Sequence, residues 1–107
     1  MASKLAPSHA PAFAVQAVAP DTLALSGALT FATAQHVLAQ AEAAIAGRAP
    51  ATLDLAGVDR ADSAGLACVL AILASASQAG SRPRVVALPD GLRALARVSD
   101  VEAMLAG

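Results

Sequence analysis

The densest group of polar side chains in this 107-residue sequence lies at residues 59–65, which are Asp-Arg-Ala-Asp-Ser-Ala-Gly. It follows a short strand-like stretch and extends into the start of the most apolar segment of the chain, residues 63–78. Either Asp62 or Ser63 can accept a hydrogen bond from the free N–H groups at the start of a helix. The helix dipole favours negative charge there, so a phosphate on Ser63 would stabilise the start of the helix. The same charge would repel a partner that docks on this segment. These residues therefore predict one of two roles. They only cap a helix, or Ser63 also contacts a partner and its phosphorylation switches that contact.

The remaining side chains that could carry chemistry are few and scattered. Because the sequence holds only His9, His36 and one cysteine, Cys68, it predicts no disulfide and no metal site. It has neither the Gly-x-Ser-x-Gly motif of serine hydrolases nor the Gly-x-x-x-x-Gly-Lys motif of phosphate-binding loops. A nucleophilic set of Ser63, His36 and Asp54 stays open until their positions are known. We expect a protein that is not an enzyme and binds no cofactor, with Cys68 as a small buried apolar residue.

The composition excludes several classes of partner. Seven Lys and Arg against eight Asp and Glu give a formal net charge of −1, which argues against binding to nucleic acid. Two Phe with neither Tyr nor Trp exclude an aromatic platform for stacked bases. Residues 63–81 are uncharged and close to the length of a bilayer span, but their serine, glycine and alanine content favours a buried core helix. We therefore predict a cytoplasmic protein with no direct membrane insertion.

Hydrophobic periodicity and turn residues predict a series of short elements. We expect a flexible tail over residues 1–11 and a single domain over residues 12–107, because the chain is too short for a second domain. The predicted strands cover residues 13–18, 22–27, 52–55 and 84–88. The predicted helices cover residues 31–46, 63–78, 92–98 and 101–106. Residues 56–62 are predicted as a loop.

The order of these elements predicts an α/β fold. Pro20 and Asp21 form a turn between the first two strands, which predicts an N-terminal antiparallel hairpin. The later strands alternate with helices and should run parallel, through right-handed crossovers. The expected result is a small mixed sheet of about four strands with parallel βα units after the hairpin and helices packed mainly on one face. Thr33 or Thr30 is expected to cap the first helix, and Gly47 to end it.

Two stretches together resemble the signature of STAS domains: residues 53–58, Leu-Asp-Leu-Ala-Gly-Val, and residues 62–66, Asp-Ser-Ala-Gly-Leu. STAS domains are the sulfate-transporter and anti-sigma-factor-antagonist modules. In that family a strand ends in Asp-Leu, and after a short loop an Asp-Ser/Thr-x-Gly-Leu sequence opens a helix. The resemblance covers residues 13–105, and the mixed sheet it implies, with helices on one side, agrees with the predicted order of elements.

Residues 21–27, residues 62–67 and the segment around Gly91 and Leu92 are most similar to one subgroup of that family. It comprises the small cytoplasmic subunit of the ABC transporter that moves phospholipids and maintains outer-membrane lipid asymmetry. The resemblance implies a non-catalytic chain that binds, stabilises and regulates the ATPase subunit. It would lie peripherally at the inner membrane through that ATPase and its membrane permease. The partner-binding residues that the resemblance implies are Asp62, Ser63, Gly65 and Leu66. We add Arg60 and Ala64 of the same segment as candidate partner-binding residues.

One position departs from the pattern of phosphorylated family members, which carry an acidic residue in a Gly-x-Leu-Asp sequence after the second strand. Residues 27–30 are here Gly-Ala-Leu-Thr, so Thr30 stands where the acid is expected. We therefore favour Ser63 as a partner contact over a phosphoacceptor. The alternative function is an anti-sigma-factor antagonist that is regulated by phosphorylation of Ser63.

Within the helix over residues 63–78, residues 66–76 are apolar on nearly every side, whereas a surface helix carries one apolar stripe. This helix is therefore either central to the core or covered in part by another protein. We expect an exposed apolar patch beside Ser63, and an uncovered helix face could also support self-association. Four arginines in the C-terminal half are expected to form an exposed basic face, which is either solvated or lies beside a membrane surface or an acidic partner: Arg82, Arg84, Arg93 and Arg97.

Overall fold

A computed structural model describes residues 12–105 of the chain. The predicted tail over residues 1–11 and the end of the last predicted helix at Ala106 fall outside this range. The elements, in chain order, are β1 (Phe13–Ala19), β2 (Thr22–Leu29), α1 (Ala34–Gly47), β3 (Thr52–Ala61), α2 (Ser63–Gln78), β4 (Arg84–Val86), α3 (Asp90–Val98) and α4 (Glu102–Leu105).

The four strands form one mixed sheet in the order β1-β2-β3-β4. β1 pairs with β2 antiparallel, and the β2–β3 and β3–β4 pairs are parallel. The predicted fold class is confirmed: an N-terminal hairpin is followed by parallel strands that helices connect. A parallel pair needs a crossover of a dozen or more residues, and α1 and α2 supply these crossovers.

Side chains alternate along the middle strands between a buried face and a more open face. Leu23 and Leu25 of β2 and Leu53 and Leu55 of β3 are at most 3% exposed. Their neighbours on the opposite face are small or polar and only partly buried. The helices therefore cover one face of the sheet, and their buried residues complete the core: Val37, Ala41 and Ile45 of α1, Val69, Ile72 and Ala76 of α2, and Leu92 and Ala96 of α3.

The predicted loop over residues 56–62 is wrong, because β3 continues to Ala61. β2 also continues beyond its predicted end to Leu29, and β3 pairs with it along that whole length. Two bulges each place one extra residue on β3, between Asp54 and Gly57 and between Val58 and Arg60. A bulge breaks the alternation of side chains, so this part of the strand lacks the pattern by which strands are recognised. A Cβ atom at Gly57 would lie 2.6 Å from the Ser26 Cβ atom, so the first bulge also requires a glycine.

Three element boundaries also differ from the prediction. α1 begins at Ala34 instead of Phe31, because residues 30–33 form a turn that is held by side-chain hydrogen bonds. β4 ends at Val86, since Ala87 has a positive φ of 58° that interrupts the extended backbone. α3 begins two residues early, at Asp90, where the carboxylate favours the positive end of the helix dipole. Within residues 12–105, no helix is both long enough and apolar enough to span a bilayer.

Candidate partner-binding site

Asp62 caps the start of α2. Its backbone is extended, and its Oδ1 atom accepts a hydrogen bond from the Gly65 N–H at 3.1 Å. The Asp62 carbonyl accepts from the Leu66 N–H at 3.0 Å and so begins the helical hydrogen-bond series. Of the two predicted caps, the structure therefore assigns this role to Asp62. Ser63 becomes the first residue of the helix, and its side chain is exposed.

The second carboxylate oxygen of Asp62 ties α2 to a distant part of the chain. Its Oδ2 atom accepts a hydrogen bond from the Phe31 N–H at 3.0 Å. That bond is the main reason why the pKa of Asp62 is lowered. Partial burial opposes the shift, and the Gly65 N–H adds to it. One carboxylate thus fixes the relative positions of the β2–α1 turn and the start of α2.

The β2–α1 turn, residues 30–33, is held from inside by Thr33. This side chain is 2% exposed, and its hydroxyl donates to the Ala28 carbonyl at 2.8 Å while accepting from the Thr30 N–H at 3.0 Å. Thr33 occupies the N-cap position of α1, as predicted, but its side chain accepts no hydrogen bond from the helix. The prediction that the Thr33 side chain caps α1 is therefore wrong: its hydroxyl stabilises the turn before the helix.

The same turn presents Phe31 to solvent, with 86% of the residue exposed. An exposed Phe ring has no stabilising role in the isolated chain, and it is a large rigid contact when it is covered by a partner. Helical spacing predicts Phe31 inside α1, so the sequence does not identify it as a site residue. The available signal was its rarity, since it is one of only two aromatic residues in the chain.

The other residues of the signature divide into buried and exposed groups. A Cβ atom at Gly65 would overlap the Leu29 carbonyl oxygen and lie 2.9 Å from the carbonyl carbon, so a glycine lets α2 approach the end of β2. Leu66 is 4% exposed and belongs to the core. Ala64 is half-buried, and Arg60 is exposed near the end of β3. Gly65 and Leu66 therefore position the site, while Ser63 and Arg60 are accessible.

One side of α2 is buried against the core and the opposite side is open. The buried residues of the helix include Val69, Ile72 and Ala76. The fully exposed residues of the helix are small or polar, and small residues allow close approach of a partner's backbone. They are Ser63, Ala67, Ala74, Ser77 and Gln78.

Asp54 and His36, two of the three residues that could form a nucleophilic set, make other contacts. Asp54 accepts a hydrogen bond from the Ala56 N–H at 2.9 Å, two residues along its own strand. His36 stacks on Phe13, with 6.3 Å between the ring centroids. No hydrogen bond joins Ser63, His36 and Asp54 in the part of the chain that the structure covers. Over the same residues, no group of three or more His, Cys, Asp or Glu side chains could hold a metal ion.

Cys68 is a core residue, as predicted. It is 4% exposed, and its Sγ atom lies 3.5 Å from the Ala34 carbonyl oxygen on α1. Burial, with a smaller effect of the Glu42 charge, raises the pKa of the thiol to about 11. Since the thiolate is the reactive form, this thiol is inert near neutral pH.

Removal of the Asp62 carboxylate should loosen the site. We expect Asp62→Ala to lower the free energy of unfolding by about 1–2 kcal/mol at neutral pH, because two backbone N–H groups lose their acceptor. A carboxylate whose pKa is lowered on folding stabilises the protein above its ordinary pKa of 3.8, and this stabilisation is lost as the pH falls through the folded-state pKa. In urea denaturation the difference between wild type and variant should therefore shrink with acidification.

The control for this change is Asp59→Ala, which removes an exposed carboxylate three residues earlier. It should change the free energy of unfolding by less than about 0.5 kcal/mol. Equal effects of the two substitutions would contradict the bridging role of Asp62.

Comparison with known proteins places this arrangement in context. A family model described as "Mlab, STAS domain" matches residues 13–106. Among solved structures, the chain is similar to the anti-sigma factor antagonist SpoIIAA in its unphosphorylated form, with a TM-score of 0.68 and 20% sequence identity. That match covers 87% of this chain and 84% of the other, and at this identity it shows a shared fold. A search of curated proteins gives no match.

Proposed function

The chain belongs to the STAS domain family, and we propose that it is the non-catalytic subunit that binds and regulates the ATPase of a phospholipid-trafficking ABC transporter. This transporter would maintain outer-membrane lipid asymmetry, and the chain would lie in the cytoplasm at the inner membrane through its ATPase partner. The similarity to the MlaB-named family model over residues 13–106 supports this choice within the family.

The observation that carries the proposal is the joint presentation of Phe31 and Ser63. Asp62 links the turn that bears Phe31 to the helix that begins with Ser63, through bonds of 3.0 and 3.1 Å. We call the accessible surface formed by Phe31, Ser63 and Ala67 the docking surface. It combines an aromatic side chain that is 86% exposed with small exposed residues in the first turns of α2.

This combination is typical of a protein interface. Aromatic side chains supply much of the binding energy at interfaces because they bury a large area and lose little rotamer entropy. Small neighbours allow the partner's backbone to approach the helix. Arg60 lies exposed near the end of β3, where it can form a polar rim to the contact.

Regulation requires that the subunit bind one state of the ATPase more tightly than the other. The described part of this chain offers neither a metal cluster nor a phosphate-binding loop for catalysis of its own. We therefore assign its effect to binding: it would shift the ATPase toward the assembled, active arrangement by its difference in affinity for the two states.

Affinity purification from the native cell tests this function. A tagged chain, purified in mild detergent, should bring with it an ABC ATPase and a membrane permease, identified by mass spectrometry. Purification with a serine kinase or a sigma-factor regulator, and without transporter subunits, would contradict the proposal.

A second candidate function is an anti-sigma-factor antagonist that is switched by phosphorylation of Ser63. It is favoured by one observation, the exposed Ser63 side chain at the first residue of a 16-residue helix, where a phosphate would interact favourably with the dipole. The missing acid at Thr30 argues against it. Intact-protein mass spectrometry of the chain from cells distinguishes the two, since only the antagonist requires a phosphoserine at Ser63.

A further inference from the structure

The two edges of the sheet differ in how they are protected against pairing with another strand. β4, at one edge, has only three residues, begins with Arg84 and follows Arg82 and Pro83. β1, at the other edge, has seven residues, Phe-Ala-Val-Gln-Ala-Val-Ala, with neither a charge nor a proline. Short length, charge and proline are the usual means of blocking an edge strand. β4 carries all three within a few residues, whereas the seven residues of β1 hold no charge and no proline, and only a bulge at Val18 interrupts their C-terminal end.

Hydrogen bonds determine which β1 residues point away from the sheet. The Ala12 carbonyl accepts from the Ala28 N–H at 2.8 Å, so the backbone groups of Ala12 point toward β2. Backbone groups alternate in direction along an antiparallel strand. Ala14 and Gln16 therefore also bond to β2, and the N–H and C=O groups of the odd-numbered residues face outward: Phe13, Val15 and Ala17.

The regular part of β1 is short and well defined. Its pairing with β2 runs without interruption from Phe13, opposite Gly27, to Ala17, opposite Leu23. A bulge at Val18 then ends the regular pairing. Three outward-facing residues thus form an evenly spaced row with Val15 at its centre, and nothing else in residues 12–105 pairs with that edge.

We propose that a second copy of this chain pairs with β1, antiparallel, about a two-fold axis that passes midway between Val15 and the partner's Val15. In this register Val15 and the partner's Val15 exchange both of their N–H···O=C bonds. Phe13 and the partner's Ala17 also exchange two bonds, and by symmetry so do Ala17 and the partner's Phe13. Every outward group of the regular segment then has a partner, giving six bonds between the copies.

The side chains suit this register. Phe13 lies opposite the partner's Ala17, and Ala14 lies opposite the partner's Gln16, so each large side chain meets a small one. Val15 meets a second valine, a favourable pair of β-branched residues. A two-fold axis places like residues near each other, which a charged edge strand could not tolerate, and β1 has no charge. An axis at Gln16 would instead bring the Val18 bulge into the ladder.

The dimer would have a continuous eight-stranded sheet with the helices of both copies on the same side. The two-fold axis reverses the strand direction, so the two docking surfaces lie at opposite ends of the sheet and stay accessible together. The inference is therefore independent of the proposed function. A contact made mainly by two five-residue strands is small, and we expect a weak dimer whose population depends on concentration.

Sedimentation of Gln16→Lys tests the edge contact. Gln16 is exposed, and in the dimer the two new lysines would lie about 7–8 Å apart across the ladder, where like charges destabilise the pair. The wild-type chain should shift from monomer to dimer between micromolar and millimolar concentrations, while Gln16→Lys should stay monomeric. Gln78→Lys, which adds the same charge at an exposed position at the end of α2, should behave as wild type.

Amide hydrogen exchange on the unaltered chain provides a second test that does not depend on the folding of a variant. The Ala14 and Gln16 amides should be protected at every concentration. The Phe13, Val15 and Ala17 amides should exchange quickly in dilute samples and become protected as the dimer forms. A chain that stays monomeric at millimolar concentration overturns the proposal. Protection of the Phe13, Val15 and Ala17 amides at every concentration would also overturn it, because the chain itself would then cover the β1 edge.

Discussion

Ser63→Glu is expected to weaken binding of the ATPase subunit by roughly 100-fold, which corresponds to about 3 kcal/mol. A partner that covers Ser63 must remove water from the new carboxylate, and the Asp62 carboxylate next to it adds like charge. The fold itself should keep its stability, because a negative charge in the first turn of α2 interacts favourably with the helix dipole. Titration calorimetry with the purified ATPase subunit measures the change in affinity, and urea denaturation checks the fold.

The matched control is Ser77→Glu, which makes the same substitution at an exposed residue near the other end of α2. It should leave the affinity within about twofold of wild type, since surface changes away from an interface have small effects. If Ser63→Glu copurified with the ATPase and left the ATPase activity unchanged, the docking surface would be assigned to the wrong part of the molecule.

Gly65→Ala is expected to lower the free energy of unfolding by about 3 kcal/mol, the upper part of the range for overpacked sites. The added Cβ atom would overlap the Leu29 carbonyl oxygen, which is backbone and cannot rotate away. α2 would have to move off the end of β2, and the Asp62 link to the β2–α1 turn would move with it. The loss should appear as a lower midpoint in urea denaturation with an unchanged slope.

Gly91→Ala provides the control for this prediction. Gly91 lies in the first turn of α3, and nothing lies within 4 Å of the position that its Cβ atom would take. Alanine is the better helix former, so this variant should be more stable than wild type, by about 0.5–1 kcal/mol. If both alanine variants were stabilised, α2 would not approach β2 as closely as the structure shows.

The extent of α2 could be predicted from the sequence because all its signals are local. Asp62 caps it, an uncharged run of residues fills it, and Gly80 follows its end with a positive φ of 87°. The second half of β3 could not be predicted, since two bulges remove its alternation and its pairing with the end of β2 is a tertiary contact.

Within the candidate site, too, features that depend on neighbouring residues could be predicted and features that depend on distant residues could not. Ser63 and Asp62 belong to a short motif whose capping geometry depends on a few neighbouring residues. The exposure of Phe31 instead depends on its N–H bond to the Asp62 carboxylate, across 31 positions of sequence, and on the buried hydroxyl of Thr33. Helical spacing alone predicts Phe31 in α1, because periodicity gives no information about a turn that is held by a distant side chain.

The most direct test of the docking surface compares two single substitutions at equally exposed apolar residues. Phe31 is 86% exposed beside Ser63, and Val98 is 85% exposed at the end of α3. In a titration of the purified ATPase subunit, Phe31→Ala should weaken binding by at least tenfold, or about 1.4 kcal/mol, as expected for an aromatic hot spot. Val98→Ala should bind as wild type does. Loss of affinity in Val98→Ala with full affinity in Phe31→Ala, or no binding by the wild-type chain, would contradict the assignment of this surface to an ATPase partner.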